Sequence, residues 1–257
     1  MTSVTRLVPL CTGLHRYDKS LSTRGRGQGT SITAPILAYL VETVHGRVLY
    51  DLGCDYAKIA DAQACARHYG AASFPFGPPQ MAAEQRLPDQ LRRLGLDPDD
   101  IDAVVVGHLH FDHAGGLADF RHADIHVHGD ELEAARCNAD GAYFADDFAG
   151  DHHWRISRGD VDLGPGLRTI ASPGHTAGHR SLWIERPYGR PVILAGDAAD
   201  LQENLDDEIA PGLCWRDRDD LALASIRTLK DAARSSGAWL WPNHDIAHWR
   251  RLEAGSW

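Results

Sequence analysis

Hydrophobic residues along the chain cluster in short runs that are separated by segments rich in Gly, Pro and Asp. Two of these runs, Ile32–Thr43 and Arg47–Asp51, lie on either side of a His45-Gly46 turn, a pattern typical of a β-hairpin. Other short apolar runs, several of them rich in β-branched residues, predict buried strands. These strands are Ile101–Val106, Ile125–His128, Leu167–Ala171, Ser181–Glu185, Pro191–Leu194 and Ala238–Trp241.

Helices are predicted between several of the strands. They are Tyr56–Tyr69, Leu87–Leu94, Asp130–Cys137 and Asp219–Ser235. The segments Tyr17–Thr30, Phe74–Pro79 and Gly141–Ser157 have neither pattern and predict irregular structure. Strands and helices mixed along 257 residues favour an α/β fold, and we expect residues 1–257 to form a single domain.

Composition and charge narrow the classes of function. The net charge is −10, which disfavours nucleic acid as a partner, because phosphate backbones bind through Lys and Arg. The longest apolar run, Ile32 to Val41, contains Pro35 and is too short to cross a bilayer, so we expect no membrane association. Five scattered cysteines without a CxxC pair indicate reduced thiols, and together with the lack of a signal-peptide pattern they favour a cytoplasmic protein.

The fifteen histidines are the unusual feature of the composition. In an acidic chain with scattered cysteines, they indicate metal binding through nitrogen and oxygen ligands. The predicted strands that contain Val104, Thr169, Ile193 and Leu240 each run into a His or an Asp. Loops at strand ends are where a rigid sheet can position a metal site.

The densest group of candidate ligands is His108-Leu109-His110-Phe111-Asp112-His113. Alternate residues of an extended backbone project to one side, so His108 and His110 can bind one ion. A turn at Asp112 and His113 then carries these two side chains towards a second ion. The glycines at 115 and 116 let the chain bend sharply after the cluster. The spacing therefore predicts two neighbouring metal sites.

This cluster resembles the HxHxDH signature of the metallo-β-lactamase superfamily. Three later motifs resemble the remaining family motifs and occur in the family's order. They are Pro173-Gly174-His175-Thr176-Ala177-Gly178-His179, Ala195-Gly196-Asp197-Ala198 and Asn243-His244-Asp245. The resemblance covers nearly the whole chain and implies an α/β fold, a four-layer αββα sandwich of the metallo-β-lactamase type.

The resemblance also implies a ligand set. One ion is expected at His108, His110 and His175, a second at Asp112, His113 and His244, and Asp197 is expected to bridge them. Imidazole and carboxylate ligands without a thiolate suit two Zn²⁺ ions, with Fe, Mn or Co as substitutes. His179 is expected to support packing. The other histidines are expected at the surface or in loops: His15, His45, His68, His122, His126, His128, His152, His153 and His248.

Two metal ions about 3.5–4 Å apart can activate a water molecule. The expected reaction is therefore hydrolysis by a hydroxide that bridges the metals, with Asp112 moving a proton to the leaving oxygen. Within the superfamily the chain is most similar to N-acyl homoserine lactonases. Three features carry this similarity. They are His-Leu-His-Phe-Asp-His-Ala-Gly-Gly, Gly196-Asp197-Ala198-Ala199 followed by Glu203-Asn204-Leu205, and a final His244 near the C-terminus. The alternatives are another small lactone, such as pyridoxolactone or a γ-butyrolactone, and a thioester or a β-lactam.

Substrate contacts are expected at two positions. Phe111 lies inside the first motif and is expected to face the site. Many of the related lactonases carry a substrate-binding tyrosine three residues after the bridging aspartate, where this chain has Asp200. Asp200 can act as a second proton carrier, but exposure in a loop is the favoured interpretation because single Asp residues are usually exposed. Further cavity candidates are Tyr17, Phe74, Phe76, Met81 and Trp215.

The expected partner is a small lactone, and the related lactonases imply a homodimer. The Tyr17–Thr30 loop or the C-terminal tryptophans can form its interface, since Trp is enriched at interfaces. These tryptophans are Trp239, Trp241, Trp249 and Trp257. A redox or sensor protein with a di-iron site is the alternative from another class, and His110, where that type usually has an acidic residue, disfavours it.

Overall fold

The computed structural model describes residues 2–137 and 139–255, and these form two β-sheets with helices on both outer faces. The strands are β1 (Val4–Asp18), β2 (Ser31–Thr43), β3 (Gly46–Tyr50), β4 (Ala103–Val105), β5 (Asp124–His128), β6 (His153–Ser157), β7 (Leu167–Ala171), β8 (Arg180–Ile184), β9 (Val192–Leu194) and β10 (Trp239–Trp241). The α-helices are α1 (Tyr56–Ala60), α2 (Ala62–His68), α3 (Leu87–Arg93), α4 (Phe111–Ala114), α5 (Gly129–Arg136), α6 (Gln202–Asp207), α7 (Asp219–Ser236) and α8 (Ile246–Glu253).

The first sheet has six strands in the order β1-β2-β3-β4-β5-β6. β2 is antiparallel to both of its neighbours, β1 and β3, whereas β3, β4, β5 and β6 run parallel to one another. The second sheet has the order β10-β9-β8-β7, in which β10 and β9 are parallel and the other pairs antiparallel. Parallel strands need crossover connections, and α3 and α5 provide cover at those crossovers in the first sheet.

The side chains of β2 show how four layers arise. Leu37, Tyr39 and Val41 point between the sheets and pack with residues of the second sheet such as Leu182 and Leu194. Alternate residues of the same strand point to the opposite face, where they pack under α3 and α5. On the outer face of the second sheet, α7 buries its own apolar residues against β9. The result is the αββα arrangement that the resemblance implies.

Most predicted strands and helices are confirmed, and the differences have local causes. The predicted Tyr56–Tyr69 helix is divided into α1 and α2, because Asp61 adopts an extended backbone and its side chain accepts the N–H of Ala64. The long strand β1 is not among the predicted strands, since its buried and exposed positions do not alternate regularly. The prediction of irregular structure throughout Gly141–Ser157 is wrong at its end, where β6 adds a parallel edge strand to β5.

Helices within the described ranges are all too short or too polar to cross a lipid bilayer. Trp257, one of the tryptophans considered for an interface, lies outside the described residues. The five cysteines are free thiols, as the irregular spacing predicts.

Candidate metal centre

The candidate ligands converge because four strand ends meet between the two sheets. Strands β7, β9 and β10 run in the same direction, since β10 is parallel to β9 and β8 is antiparallel to both β7 and β9. Their carboxyl ends therefore lie at one edge of the second sheet, and they lead into the segments that carry His175, Asp197 and His244. The carboxyl end of β4 brings the HxHxDH motif to the same place from the first sheet.

A tight turn positions the first motif. After β4, the N–H of Gly107 donates to Asp51 Oδ1 at 2.7 Å, and the N–H of Leu109 donates to Glu131 Oε1 at 3.0 Å. His110 has an extended backbone and occupies the N-cap position of α4, whose first residues include Asp112 and His113. Gly115 then passes so close to the backbone of residues 54 and 55 that a Cβ atom would approach the Asp55 nitrogen to 2.2 Å. Any other residue would push the motif away from this segment.

One half of the site, here called the imidazole cluster, consists of His108, His110 and His175. The His175 Nε2 atom lies 3.1 Å from His110 Nδ1. Asp197 Oδ2 faces this cluster, at 3.7 Å from His108 Nε2 and 3.4 Å from His175 Nε2. These nitrogen atoms are close enough together to act as ligands of one ion.

The other half, here called the carboxylate cluster, consists of Asp112, His113 and His244. Its ligand atoms can also hold one ion. Oδ1 of Asp197 faces this cluster, at 3.4 Å from His113 Nε2 and 3.2 Å from His244 Nε2. The two oxygens of Asp197 thus point to different clusters, which is the geometry of a bridging carboxylate.

The ring nitrogens that face away from the centre have hydrogen-bond partners that fix the rings. His113 Nδ1 lies 2.8 Å from the buried carboxylate of Asp51, and His244 Nδ1 lies 2.8 Å from the Pro35 carbonyl oxygen in β2. In the imidazole cluster, His110 Nε2 lies 3.1 Å from Asp140 Oδ2. Such outer partners orient metal-binding imidazoles and select their tautomers.

Two further buried residues hold the surrounding segments together. Glu131 accepts hydrogen bonds from the N–H of Leu109, the hydroxyl of Tyr143 and the N–H of Gly178, and so joins three loops at the site. His179 Nε2 accepts the N–H of Asp197 at 2.9 Å, which fits the supporting role expected for this histidine. Asp51, Asp140 and Glu131 are absent from the sequence-based site. Asp51 could have been found, since it ends a predicted strand, close to where the other site residues lie relative to their strands.

Burial and close carboxylates shift the pKa values of the site in opposite directions. Burial lowers the pKa of His108 well below its usual range, and burial lowers that of His175 to about 4. In the carboxylate cluster, burial opposes protonation, but Asp197 and its neighbouring carboxylates raise the pKa of His113 well above its usual range and that of His244 to about 10. The carboxylates thus attract positive charge to this half of the site.

The residues fit a pair of divalent ions. Both ring nitrogens of His108 are buried and have no hydrogen-bond partner within residues 2–137 and 139–255. Buried polar atoms normally have a partner, and a metal ion supplies one for Nε2. The donors are imidazoles and carboxylates without a thiolate, a set suited to divalent transition metals.

The centre opens into a cavity of about 480 Å³. Phe111 forms part of its wall and stacks on Phe144, with ring centres 5.2 Å apart, and Phe74 meets Phe111 edge to face. Among the predicted cavity residues, Tyr17, Phe74, Phe76, Phe111 and Asp200 line this space. Met81 and Trp215 are not among its lining residues and instead pack against hydrophobic clusters.

The interpretation of Asp200 as an exposed loop residue is wrong. Its side chain is 4% exposed and faces the cavity, because the chain turns inward after β9. Burial and the adjacent Asp197 raise the pKa of Asp200 to about 8. His248 is also buried, in α8, rather than in a loop or at the surface. His152 lies in a loop as expected but is buried, and His15, which is half-buried, lines the cavity. Periodicity could not reveal these contacts, since they depend on how distant segments pack.

Comparison with known proteins agrees with this geometry. Residues 33–244 match the model of the metallo-beta-lactamase superfamily. The chain belongs to this superfamily, and its two sheets and outer helices have the corresponding fold.

Individual relatives narrow the comparison from the superfamily to one group of enzymes. N-acyl homoserine lactonase AiiA of Bacillus thuringiensis subsp. kurstaki is 31% identical over 246 residues, which cover 95% of this chain and 94% of the relative. N-acyl homoserine lactonase AttM of Azorhizobium caulinodans is 30% identical, with 97% and 96% covered. A solved N-acyl homoserine lactone hydrolase with the product N-hexanoyl-L-homoserine at its catalytic metal centre superposes with a TM-score of 0.86, at 31% identity and with 97% and 96% covered.

Proposed function

We propose that this protein is a dinuclear metal-dependent hydrolase that opens the ring of N-acyl homoserine lactones. The observation that carries the proposal is the pair of ligand clusters that share Asp197 at the base of an apolar-walled cavity. The relatives named above support the choice of substrate, since they are N-acyl homoserine lactonases and the similarity extends along nearly their whole length.

The ligand assignment is part of the proposal. One ion binds to His108, His110 and His175. A second ion binds to Asp112, His113 and His244. Asp197 would hold both ions, since one of its oxygens faces each cluster.

A bound pair of divalent ions supplies an activated water molecule and polarises the ester carbonyl. Asp112 is the proposed catalytic residue, since it belongs to the carboxylate cluster and lines the cavity. Its carboxylate takes a proton from the attacking water and delivers it to the ring oxygen as the carbon–oxygen bond breaks. The outer partners of the imidazoles, among them Asp51, keep the ligands in place during this transfer.

Phe111 and Asp200 are the proposed substrate-side residues. Phe111 is packed by Phe74 and Phe144, so its ring is fixed where the acyl part of a lactone would enter. Aromatic walls with few polar groups suit an apolar acyl chain. Asp200 lines the same cavity, next to the carboxylate cluster.

A substrate panel tests the proposal. Metal-loaded protein is mixed with N-acyl homoserine lactones of several chain lengths, simple γ- and δ-lactones, a thioester and the β-lactam nitrocefin, and proton release or absorbance is followed. Ring-opened acyl homoserine, identified by mass spectrometry, is the expected product. Hydrolysis of the thioester or nitrocefin without turnover of any lactone would refute the lactonase function, and turnover of simple lactones alone would favour the other small-lactone alternative.

The finer properties are also proposed. Zn²⁺ is the native metal, with Fe, Mn or Co as substitutes, and metal analysis of freshly purified protein tests this. Residues 1–257 form one cytoplasmic domain that assembles as a homodimer, through the Tyr17–Thr30 segment or the C-terminal tryptophans. Sedimentation at assay concentration measures the assembly, and a monomer would contradict it.

A further inference from the structure

Asp200 lies beside the carboxylate cluster because backbone hydrogen bonds fix it there. Its carbonyl oxygen accepts the N–H of His244 at 2.8 Å, and the carbonyl oxygen of Ala199 accepts the N–H of Asn243 at 3.1 Å. These bonds join the segment after β9 to the segment after β10. The separation of Asp200 from His244 is therefore set by the second sheet rather than by a flexible loop.

The Asp200 carboxylate is buried and incompletely paired. Its Oδ1 atom has no hydrogen-bond partner in the described part of the chain. A buried, unpaired carboxylate oxygen is unfavourable, so this atom requires a partner that the side chains do not supply. The ligand atoms of Asp197, Asp200 and His244 all lie within 4.8 Å of one another, a spacing at which one cation can contact all three.

We propose that Asp200 is an additional ligand of the ion that Asp112, His113 and His244 hold. The inference rests on the proposed function only through the existence of the metal centre. A further carboxylate makes this half of the site richer in oxygen and lowers its net positive charge. Oxygen ligands suit Mn²⁺ better than the imidazoles of the other half do, so Asp200 increases the preference of the carboxylate cluster for Mn²⁺ over Zn²⁺.

If Asp200 had only a structural role, its replacement would have different consequences. Ser22 is fully buried, contacts Tyr17 through a 2.9 Å hydrogen bond between hydroxyls, and lies next to Asp200. A protonated Asp200 that only packs against Ser22 would contribute to stability. It would leave metal affinity and metal geometry unchanged when it is replaced.

Metal competition separates the two roles. Metal-loaded Asp200→Asn, Asp200→Ala and wild-type proteins are equilibrated with a chromophoric chelator, and bound Zn²⁺ or Mn²⁺ is measured. We expect the affinity of one of the two ions to fall about 10–100-fold in Asp200→Asn, and further in Asp200→Ala, with a larger loss for Mn²⁺. The control is Asp206→Asn, which removes an exposed carboxylate on α6 and should keep wild-type affinities.

Cobalt substitution provides a readout of geometry. Loss of a ligand lowers the coordination number of one Co²⁺ ion, and the visible absorption of Co²⁺ becomes stronger as coordination approaches tetrahedral. Asp200→Asn is therefore expected to absorb more strongly than the wild type. Asp200→His, which offers a nitrogen donor in place of oxygen, is expected to shift the preference towards Zn²⁺.

Unchanged affinities and spectra in variants that fold and bind two ions would overturn the inference. Neither measurement uses a lactone, so failure of this inference can be distinguished from failure of the proposed function. A wild-type protein that binds two ions with the help of Asp200 and hydrolyses no lactone would refute the proposed substrate alone. A wild-type protein that binds no pair of ions would refute both proposals.

Discussion

The imidazole cluster and the carboxylate cluster share Asp197 but differ in what lies behind them. The carboxylate cluster is supported by the sheets, through the buried Asp51 directly after β3 and the Pro35 carbonyl in β2. The imidazole cluster is supported by loops, through Asp140, whose side chain is 38% exposed, and the Leu213 carbonyl.

From this difference we expect the carboxylate cluster to be the more rigid half of the centre and the imidazole cluster the more adaptable half. Loops rearrange more easily than central strands, so the imidazole cluster has more freedom to adjust as substrate enters the cavity. The carboxylate cluster contains Asp112, the proposed proton carrier, and rigid support keeps such a group within reach of the reacting atoms. The following predictions test the comparison, beginning with the largest expected effect.

Removal of a ligand from the imidazole cluster should have the largest effect. His110→Ala is expected to lower kcat/KM about 10⁴-fold, because a bound ion contributes several kcal/mol to the transition state and each 1.4 kcal/mol is about tenfold in rate. Steady-state kinetics and metal analysis measure the outcome. The control His45→Ala replaces an exposed histidine in the β2–β3 turn and should match the wild type. Equal metal content and rate in His110→Ala would contradict the assignment.

Loss of the proton carrier should be somewhat less severe. Asp112→Asn is expected to lower kcat about 10³-fold, within the range for loss of a general acid–base, while the imidazole cluster keeps its ion. Kinetics on metal-saturated protein, with metal content measured in parallel, test this. A wild-type kcat in Asp112→Asn would mean that another group moves the proton.

Substitution of the two outer carboxylates, Asp51 and Asp140, tests the difference between the two clusters directly. Asp51→Asn is expected to lower the affinity for the ion of the carboxylate cluster about 10–100-fold. Asp140→Asn should lower the affinity for the ion of the imidazole cluster about tenfold or less, because Asp140 is partly exposed and solvent screens its charge. Chelator competition measures both variants. Equal losses would show that the loop supports its histidine as firmly as the sheet does.

The smallest expected effect on catalysis comes from the anchor of the loop that carries Asp140, which acts on stability. Lys58 pairs with Asp146 and Asp147 in this loop, and burial, opposed by Lys58, raises the pKa of Asp147 from 3.8 to about 7. The native state therefore holds a proton that the unfolded chain has lost between these pH values. The associated stability is complete below about pH 4 and is lost as pH rises through 7.

Asp147→Asn should remove this dependence. Between pH 4 and 7, the free energy of unfolding of the wild type is expected to fall by about 3 kcal/mol relative to the variant, as a pKa change from 3.8 to about 7 implies. Urea titrations of both metal-free proteins across this range measure the difference. Parallel curves would indicate that Asp147 stays ionised beside Lys58.

The seven candidate ligands could be found from the sequence because they occur in short motifs next to apolar strands. His108, His110, Asp112 and His113 lie within six residues, so local geometry alone places them together. Asp200 and Asp140 could not be interpreted in this way. Nothing local shows that Asp200 turns inward, since its burial depends on the contact between the segments after β9 and β10.

The sequence by itself determined the order of most strands and helices, the four motifs and the kind of donor atoms. These features depend on local periodicity and spacing. Only the tertiary structure decided that Asp197 directs one oxygen to each cluster, that sheets support one half and loops the other, and that Asp200 is buried beside His244. Such relations join residues that are distant along the chain, and packing of the two sheets brings them within a few ångströms.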